Sequence, residues 1–474
     1  MLSFKWMPLS VDLSSCVYGA WIFRFSDKKQ KLSLKDCFIA NNIKVTCEGF
    51  HKAKAMKGTK QVKEYLLPAV LIALMLASTF AVYQMYPTEA KADPDVNVGI
   101  AFCGNTTAEA KLLIDRTKDY TNLFILDSGG GLISQNRTQI EEICDYAVSH
   151  GLKVIINVGT IYTDSWFWKT RPINNVTDAW QQRWGNNFLG IYYNDEPAGI
   201  QLDGNWTEWF NRYNASLNLI DHPTAQLLDE IFAKREAQKV NGTQPADYNA
   251  EAELFIEGVI REDPGMMLLK NTSLNLFTAD YCLHWFDYLG GYDTMLAELG
   301  WNSSVTQQIS LVKGAARLQN KTWGTIVTWK YDQPPYLDNG QEIYNQMLES
   351  YKAGADYIII FNYPIQSKYG VMKPEHFVAM KNFWNDITTK KYEDYSRPEA
   401  VLVLPRNYGW GIRHQTDNIW GFYTPDDKAP LVGNAMDTLL AQYGSSLDIV
   451  YDDPAYPISA VDYKNVYYWN QTLT

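Results

Sequence analysis

From residue 98 onward, short apolar runs alternate with stretches whose apolar positions recur every three to four residues. The runs fall at 98–103, 123–127, 154–158, 188–194, 276–281, 294–299, 324–329 and 357–361. Each is short, bounded by turn-forming residues and apolar on both faces, which predicts a strand of a parallel sheet. Between them, residues 138–150, 305–319 and 340–353 carry helical spacing, and Gly151 and Gly354 stand where a helix stops. Eight strands in about 270 residues predict an α/β fold, a (β/α)8 or TIM barrel. An open doubly wound sheet is the alternative, because strand count alone does not prove closure.

Two irregularities shape the expected architecture. Some 80 residues separate the fourth and fifth strands, with helical spacing at 206–220, 224–239 and 250–262, so a helical insertion is expected there. The link from the fifth to the sixth strand, 283–291, is short. A closing helix at 373–390 and a polar linker at 391–397 end the barrel domain, 93–392. The pattern then restarts: strand 400–404, helix 433–443, strands 447–451 and 466–469. This predicts a small Rossmann-like α/β domain over 398–474, too small to bury its own core unless it docks on the barrel.

The N-terminal part is different. Residues 65–83 carry no charge and follow Lys57, Lys60 and Lys63, while Ala90-Lys91-Ala92 precedes Asp93. A basic flank, an apolar core and an A-x-A site describe an export signal; uncleaved, the segment just spans a bilayer as an anchor. Met56 stands directly before the basic flank. Residues 1–55 are therefore read as an over-extended start, or else as a cytoplasmic tail, and 56–92 as signal or anchor. Ten Asn-x-Ser/Thr sequons, from Asn105 to Asn470, all follow the apolar segment, which fits a glycosylated extracellular or cell-surface protein.

Charge narrows the partners. The net charge of −11 hides a basic segment of +7 over residues 1–64 and about −18 over 93–474. An acidic body disfavours nucleic acid, and leaves membrane contact to the N-terminal hydrophobic segment alone. Beyond that segment only Cys103, Cys144 and Cys282 remain, at most one disulfide. The scattered histidines show no metal-ligand spacing, and no phosphate-binding or dinucleotide fingerprint occurs, so no metal or cofactor is expected. Oligomeric state is not legible.

In a (β/α)8 barrel, chemistry sits at the C-terminal ends of the strands. Strand four ends Tyr193-Asn194-Asp195-Glu196-Pro197, and Asp280 closes strand five ahead of His284, Trp285 and Asp287. Strand six ends Glu298-Leu299-Gly300-Trp301, strand seven Trp329-Lys330-Tyr331-Asp332, and strand eight Phe361-Asn362-Tyr363. Asp127 closes strand two. Carboxyls with Trp and Tyr suit a carbohydrate: glycosidic cleavage needs one carboxyl to protonate the leaving oxygen and another to capture the oxocarbenium-like centre. Tyr193, Trp285, Trp301, Trp329 and Tyr363 are candidate stacking surfaces. Asp195, His284, Lys330 and Asn362 are candidate readers of hydroxyls.

The strand-four turn resembles that of retaining (β/α)8 glycoside hydrolases, in which an Asn-Glu-Pro-like turn carries the acid/base glutamate. Glu196-Pro197 matches, and Asp195 stands in place of the Asn. The family's nucleophile is a Glu closing strand seven, where this chain has Trp329-Lys330-Tyr331-Asp332. The resemblance thus implies an exported, retaining hydrolase with Glu196 as acid/base and Glu298 or Asp332 as the second carboxylate. A non-catalytic glycan-binding or envelope-interaction barrel is the alternative. Residues 398–470 resemble the amidotransferase-like domain that follows the barrel in some β-galactosidase-type enzymes; no cysteine follows Cys282, so no amidotransferase nucleophile is present.

Overall fold

The computed structural model describes residues 94–474, except 162, 204–246, 302, 415, 422 and 473–474, together with a two-stranded antiparallel pair, Arg24–Phe25 and Lys28–Lys29. The apolar segment 65–83, Met56 and the expected helices 206–220 and 224–239 lie outside the described residues. No described helix is long and apolar enough to cross a membrane.

Eight parallel strands close into a barrel: β1 Asn97–Phe102, β2 Leu123–Leu126, β3 Lys153–Asn157, β4 Phe188–Tyr192, β5 Asn275–Asp280, β6 Thr294–Leu299, β7 Thr322–Val327 and β8 Tyr357–Asn362. Closure comes from β8, which pairs with β7 (Ile359 opposite Ile326) and with β1 (Ile358 opposite Val98). The open-sheet alternative is thereby excluded. Alternation along each strand divides the apolar residues into two cores. Ala101, Leu123, Ile125, Ile155, Tyr192, Phe277, Leu296 and Ile359 fill the lumen. Their strand neighbours, such as Val98, Phe124, Ile156 and Met295, face the helices outside. At β4 the register against β3 shifts by one residue, and Gly190, at φ +151°, sits so close to β5 that a Cβ would lie 2.1 Å from the Asn275 carbonyl oxygen.

The described outer helices are α1 Thr107–Thr117, α2 Arg137–Ser149, α3 Asn174–Trp184, α4 Pro197–Asp203, α5 His284–Gly290, α6 Val305–Gln319, α7 Gly340–Lys352 and α8 Pro374–Thr389. The short link from β5 to β6 contains α5. The helix expected at 250–262 is a short α-helix, Tyr248–Glu253, that widens into a π-helical stretch, Leu254–Arg261.

Three parallel strands follow, in the order β10 (Leu447–Tyr451), β9 (Ala400–Leu404), β11 (Asn465–Tyr468), with α9 Lys428–Tyr443 packed beside them. This small sheet docks against α6. Gly314 makes the approach possible: a Cβ there would stand 2.6 Å from the Ile449 carbonyl oxygen. Buried Lys313 lies 3.4 Å from buried Asp448 and donates to the Ser445 carbonyl, while Arg317 pairs with Asp448 at 2.7 Å. The described residues of the 405–427 loop reach α4 and α6. Gln201 donates to the Trp420 carbonyl at 3.0 Å, Gln307 donates to that of Ile412 at 3.0 Å, and Arg413 grips Asp203 through both terminal nitrogens.

Candidate active site

Strand parity decides which residues reach the mouth. On β4, Tyr192 points into the lumen and Tyr193 points out, where its hydroxyl donates to Asp263 and its ring meets Trp168 at 5.4 Å. On β8, Phe361 packs against the luminal residues, whereas Asn362 is buried beside Phe102, Leu113 and Gly370, on the opposite face. On β6, the outward positions are Met295, Ala297 and Leu299, which leaves Glu298 with Leu296 inside.

The β4 turn is held in an unusual backbone shape. Asn194 and Glu196 have φ of +54° and +49°, the left-handed region that non-glycine residues enter at a cost. Neighbouring groups hold it there. The Thr278 hydroxyl donates to the Asn194 carbonyl at 2.6 Å, and the Glu196 amide donates to the Ala279 carbonyl at 3.0 Å. Pro197 opens α4, where a missing N–H costs nothing. The next two amides of α4, Ala198 and Gly199, donate to the buried Asp280 carboxylate at 2.7 and 3.0 Å, and Tyr281 adds a third at 2.8 Å. Asp280 therefore ties β5 to the start of α4 and fixes the residue before it, Glu196. Burial first, then the charge of Glu196, pushes the Asp280 pKa up to about 8 against those donors.

Glu196 and Glu298 meet in a carboxyl–carboxyl hydrogen bond. Glu298 is nearly inaccessible, and its Oε2 has no hydrogen-bond partner among the described residues. Burial, followed by the charges of Glu196 and Asp195, raises its pKa well above the usual carboxylate range. Burial raises that of Glu196 too, but the hydrogen bond from Glu298 pulls it back. The two carboxyls therefore titrate as a pair, with the protonated form favoured by burial.

A second acidic pair lies alongside. Asp127 accepts from Asn157 at 2.5 Å and from the Cys103 thiol at 3.4 Å. Asp195 accepts from the Tyr192 hydroxyl, which itself accepts the Ala279 amide at 3.0 Å. Asp195 is exposed at the cleft, and its backbone side packs against the barrel rim. Desolvation by that rim, then the charges of Asp127 and Glu196, raises its pKa well above normal. Both aspartates line a cleft of about 440 Å³ with Asn157, Thr163, Phe361 and Tyr363.

The remaining candidates divide. Tyr363 and Trp301 are exposed on loops at the C-terminal face, and the Trp329 ring packs against Tyr336, Phe361 and Tyr363 at 5.2, 5.8 and 5.7 Å. Lys330 lies beside them, 4.0 Å from Asp338. Asp332 is not joined to the glutamate pair by any hydrogen bond or ion pair among the described residues: β7 ends at Val327, and Asp332 lies out on the exposed loop. Trp285 packs 6.0 Å from Tyr451 at the end of β10 and 5.9 Å from Tyr456 in the turn after it, away from the mouth. His284 is buried against Gln308 at 3.0 Å, and burial lowers its pKa to about 4, so it cannot reach a ligand hydroxyl from there. Tyr193 and Asn362 face away from the lumen. Residue type and spacing alone do not mark Tyr192, Asn157 and Cys103 as site residues; counting by twos along each strand from a buried luminal residue is the signal that finds them.

No protein-family model matches the sequence, and no curated protein matches it significantly. Solved structures show distant similarity. The β-galactosidase of the haloarchaeon Halorubrum lacusprofundi is 11% identical, over 79% of this chain and 69% of that one, with a TM-score of 0.49. A GH5_18 protein from Streptomyces cattleya is 13% identical, over 79% and 99%, at 0.42. The α-L-fucosidase isoenzyme 2 of Paenibacillus thiaminolyticus is 11% identical, over 65% and 52%, at 0.35. At such identities the likeness concerns the barrel fold alone.

Proposed function

We propose that this barrel hydrolyses O-glycosidic bonds with Glu196 and Glu298 as its carboxyl pair. The observation that carries the reading is their coupling through a carboxyl–carboxyl hydrogen bond at the C-terminal mouth, beside an aromatic-edged cleft. Two carboxyls with their pKa values pushed apart are the starting state for acid and nucleophile. Glu298 protonates the leaving oxygen; the Glu196 carboxylate attacks the anomeric carbon and forms a glycosyl ester. Water, deprotonated by Glu298, then cleaves that ester and returns the proton. The glycosyl ester on Glu196 makes the proposed reaction a retaining one. The family resemblance gave Glu196 the acid/base part; the deeper burial of Glu298, which favours its protonated form, supports the reverse. Export, and action outside the cell, belong to the proposal on the strength of the apolar segment and the sequons.

The test is hydrolysis of a glycan panel by the native chain, Glu196→Gln and Glu298→Gln. Loss of about 10²–10⁴-fold in kcat is expected for each. Azide should rescue Glu196→Ala with an inverted glycosyl azide. An amide variant that keeps full activity removes its residue from the chemistry. The binding-scaffold reading is favoured by the burial of Glu298, because a sugar must part the two carboxyls to enter, and it expects no reducing ends at all.

A further inference from the structure

We infer that Arg413, carried by the loop after β9, is a positioning residue for Glu196: it clamps the far end of α4 and neutralises Asp203 there. The inference rests on the hydrolase reading for the role of Glu196 and on independent contacts for the clamp.

The guanidinium is set in place by other contacts of its own loop. Gln307 of α6 donates to the Ile412 carbonyl at 3.0 Å, which anchors the chain one residue ahead. Asp417 accepts the Arg413 backbone amide at 3.0 Å and its Nε at 3.2 Å. The two terminal nitrogens form a fork on the Asp203 carboxylate, at 3.0 and 2.8 Å. The guanidinium also lies over the Tyr281 ring, 5.3 Å from its centroid, and the Tyr281 hydroxyl donates to the same carboxylate.

That carboxylate closes α4, a helix of seven residues whose other end directly follows Glu196. So short a helix is held by its surroundings rather than by itself. Tyr281 runs along it: a Cβ on Gly199 would stand 2.4 Å from the ring, and the Tyr281 amide donates to Asp280, which also accepts the Ala198 and Gly199 amides. From the other side, Gln201 donates to the Trp420 carbonyl at 3.0 Å, and a Cβ on Gly421 would lie 2.3 Å from the Gln201 carbonyl oxygen. The C-terminal loop and Tyr281 thus fix the helix that fixes Glu196.

The clamp also acts through charge. Glu298 on β6, Asp195 in the same turn, Asp280 on β5 and Asp203 on α4 all surround Glu196 with acid. Of these four, Asp203 alone has an ion pair among the described residues, and its charge is one that opposes ionisation of Glu196. Arg413 offsets that charge and leaves Glu196 free to act as a carboxylate.

Difference infrared titration of the full chain tests this, with Glu196→Gln and Glu298→Gln spectra assigning the carboxyl bands of the pair. Asp203→Asn moves the lower midpoint of the pair down by roughly half a pH unit or more, and Arg413→Gln moves it up by about as much. The double variant falls between them, and Arg413→Lys, which keeps the charge and loses the fork, stays close to the native midpoint. A clamp that is only structural lowers stability in urea in every variant without shifts of opposite sign. Shifts of one sign in both single variants, or no shift in Asp203→Asn, overturn the inference; the second arm decides even where Arg413→Gln does not fold. With any glycan the chain cleaves, the acid limb of kcat/KM moves with the infrared midpoint. Cleavage with unmoved midpoints removes Arg413 from the reaction and leaves the hydrolase. Shifted midpoints in a chain that cleaves no glycan do the opposite.

Discussion

Asp280 offers a quantitative check on how the mouth is built. Its carboxylate is fully buried, accepts three backbone amides, and titrates near 8 because burial and Glu196 oppose its charge. An unfolded aspartate titrates near 4. Between those values the native state holds a proton that the unfolded chain has released, so stability falls as pH rises through the window. One such proton costs about 1.4 kcal/mol per pH unit, or roughly 3–4 kcal/mol between about pH 5 and pH 8. Asp280→Asn removes the titration. It also turns an amide nitrogen toward a backbone N–H, either Ala198 or Tyr281, which costs about 1–3 kcal/mol at every pH. Urea unfolding followed by tryptophan fluorescence across that range should therefore show the variant less stable in acid, with the two curves crossing inside the window and the variant the more stable of the two by about pH 8. Parallel curves would refute the claim that Asp280 takes up a proton on folding.

Three further outcomes follow from the packing. Gly314→Ala drives a Cβ into the backbone at Ile449, and urea unfolding should register a loss of about 1–3 kcal/mol; a more stable variant would mean that the small sheet does not rest on α6. Trp285→Ala empties a buried site between α5 and the C-terminal sheet and should cost about 3–5 kcal/mol, while KM for any cleaved glycan stays unchanged because the ring does not face the mouth. Tyr193→Phe deletes the hydroxyl that donates to buried Asp263, costing about 1–3 kcal/mol in denaturation with kcat preserved; a variant that loses turnover but keeps its stability would place Tyr193 in the mouth after all.

The barrel was legible because burial on both faces leaves a mark in one dimension. Runs such as 294–299 need no partner to be recognised as buried strands, and Gly151 and Gly354 punctuate the helices between them. Glu196-Pro197 was legible for a similar reason, being a local turn with a local backbone demand. What the sequence could not carry was direction. Tyr192 and Tyr193 are adjacent and chemically alike, but the pleat sends one into the lumen and the other into the helical layer. Phe361 and Asn362 divide the same way. Distance was equally invisible. Asp332 follows strand seven closely in the chain, but the strand stops at Val327 and the loop carries Asp332 into solvent, whereas Glu298, about a hundred residues from Glu196, touches it. His284 and Trp285 belong to a helix that the short link between β5 and β6 did not suggest, and the C-terminal sheet that covers Trp285 lies more than a hundred residues downstream. Periodicity records which residues are buried, because each residue meets that demand alone. Only the closed barrel decides which buried carboxyls share a proton, because that depends on strands brought together across the lumen.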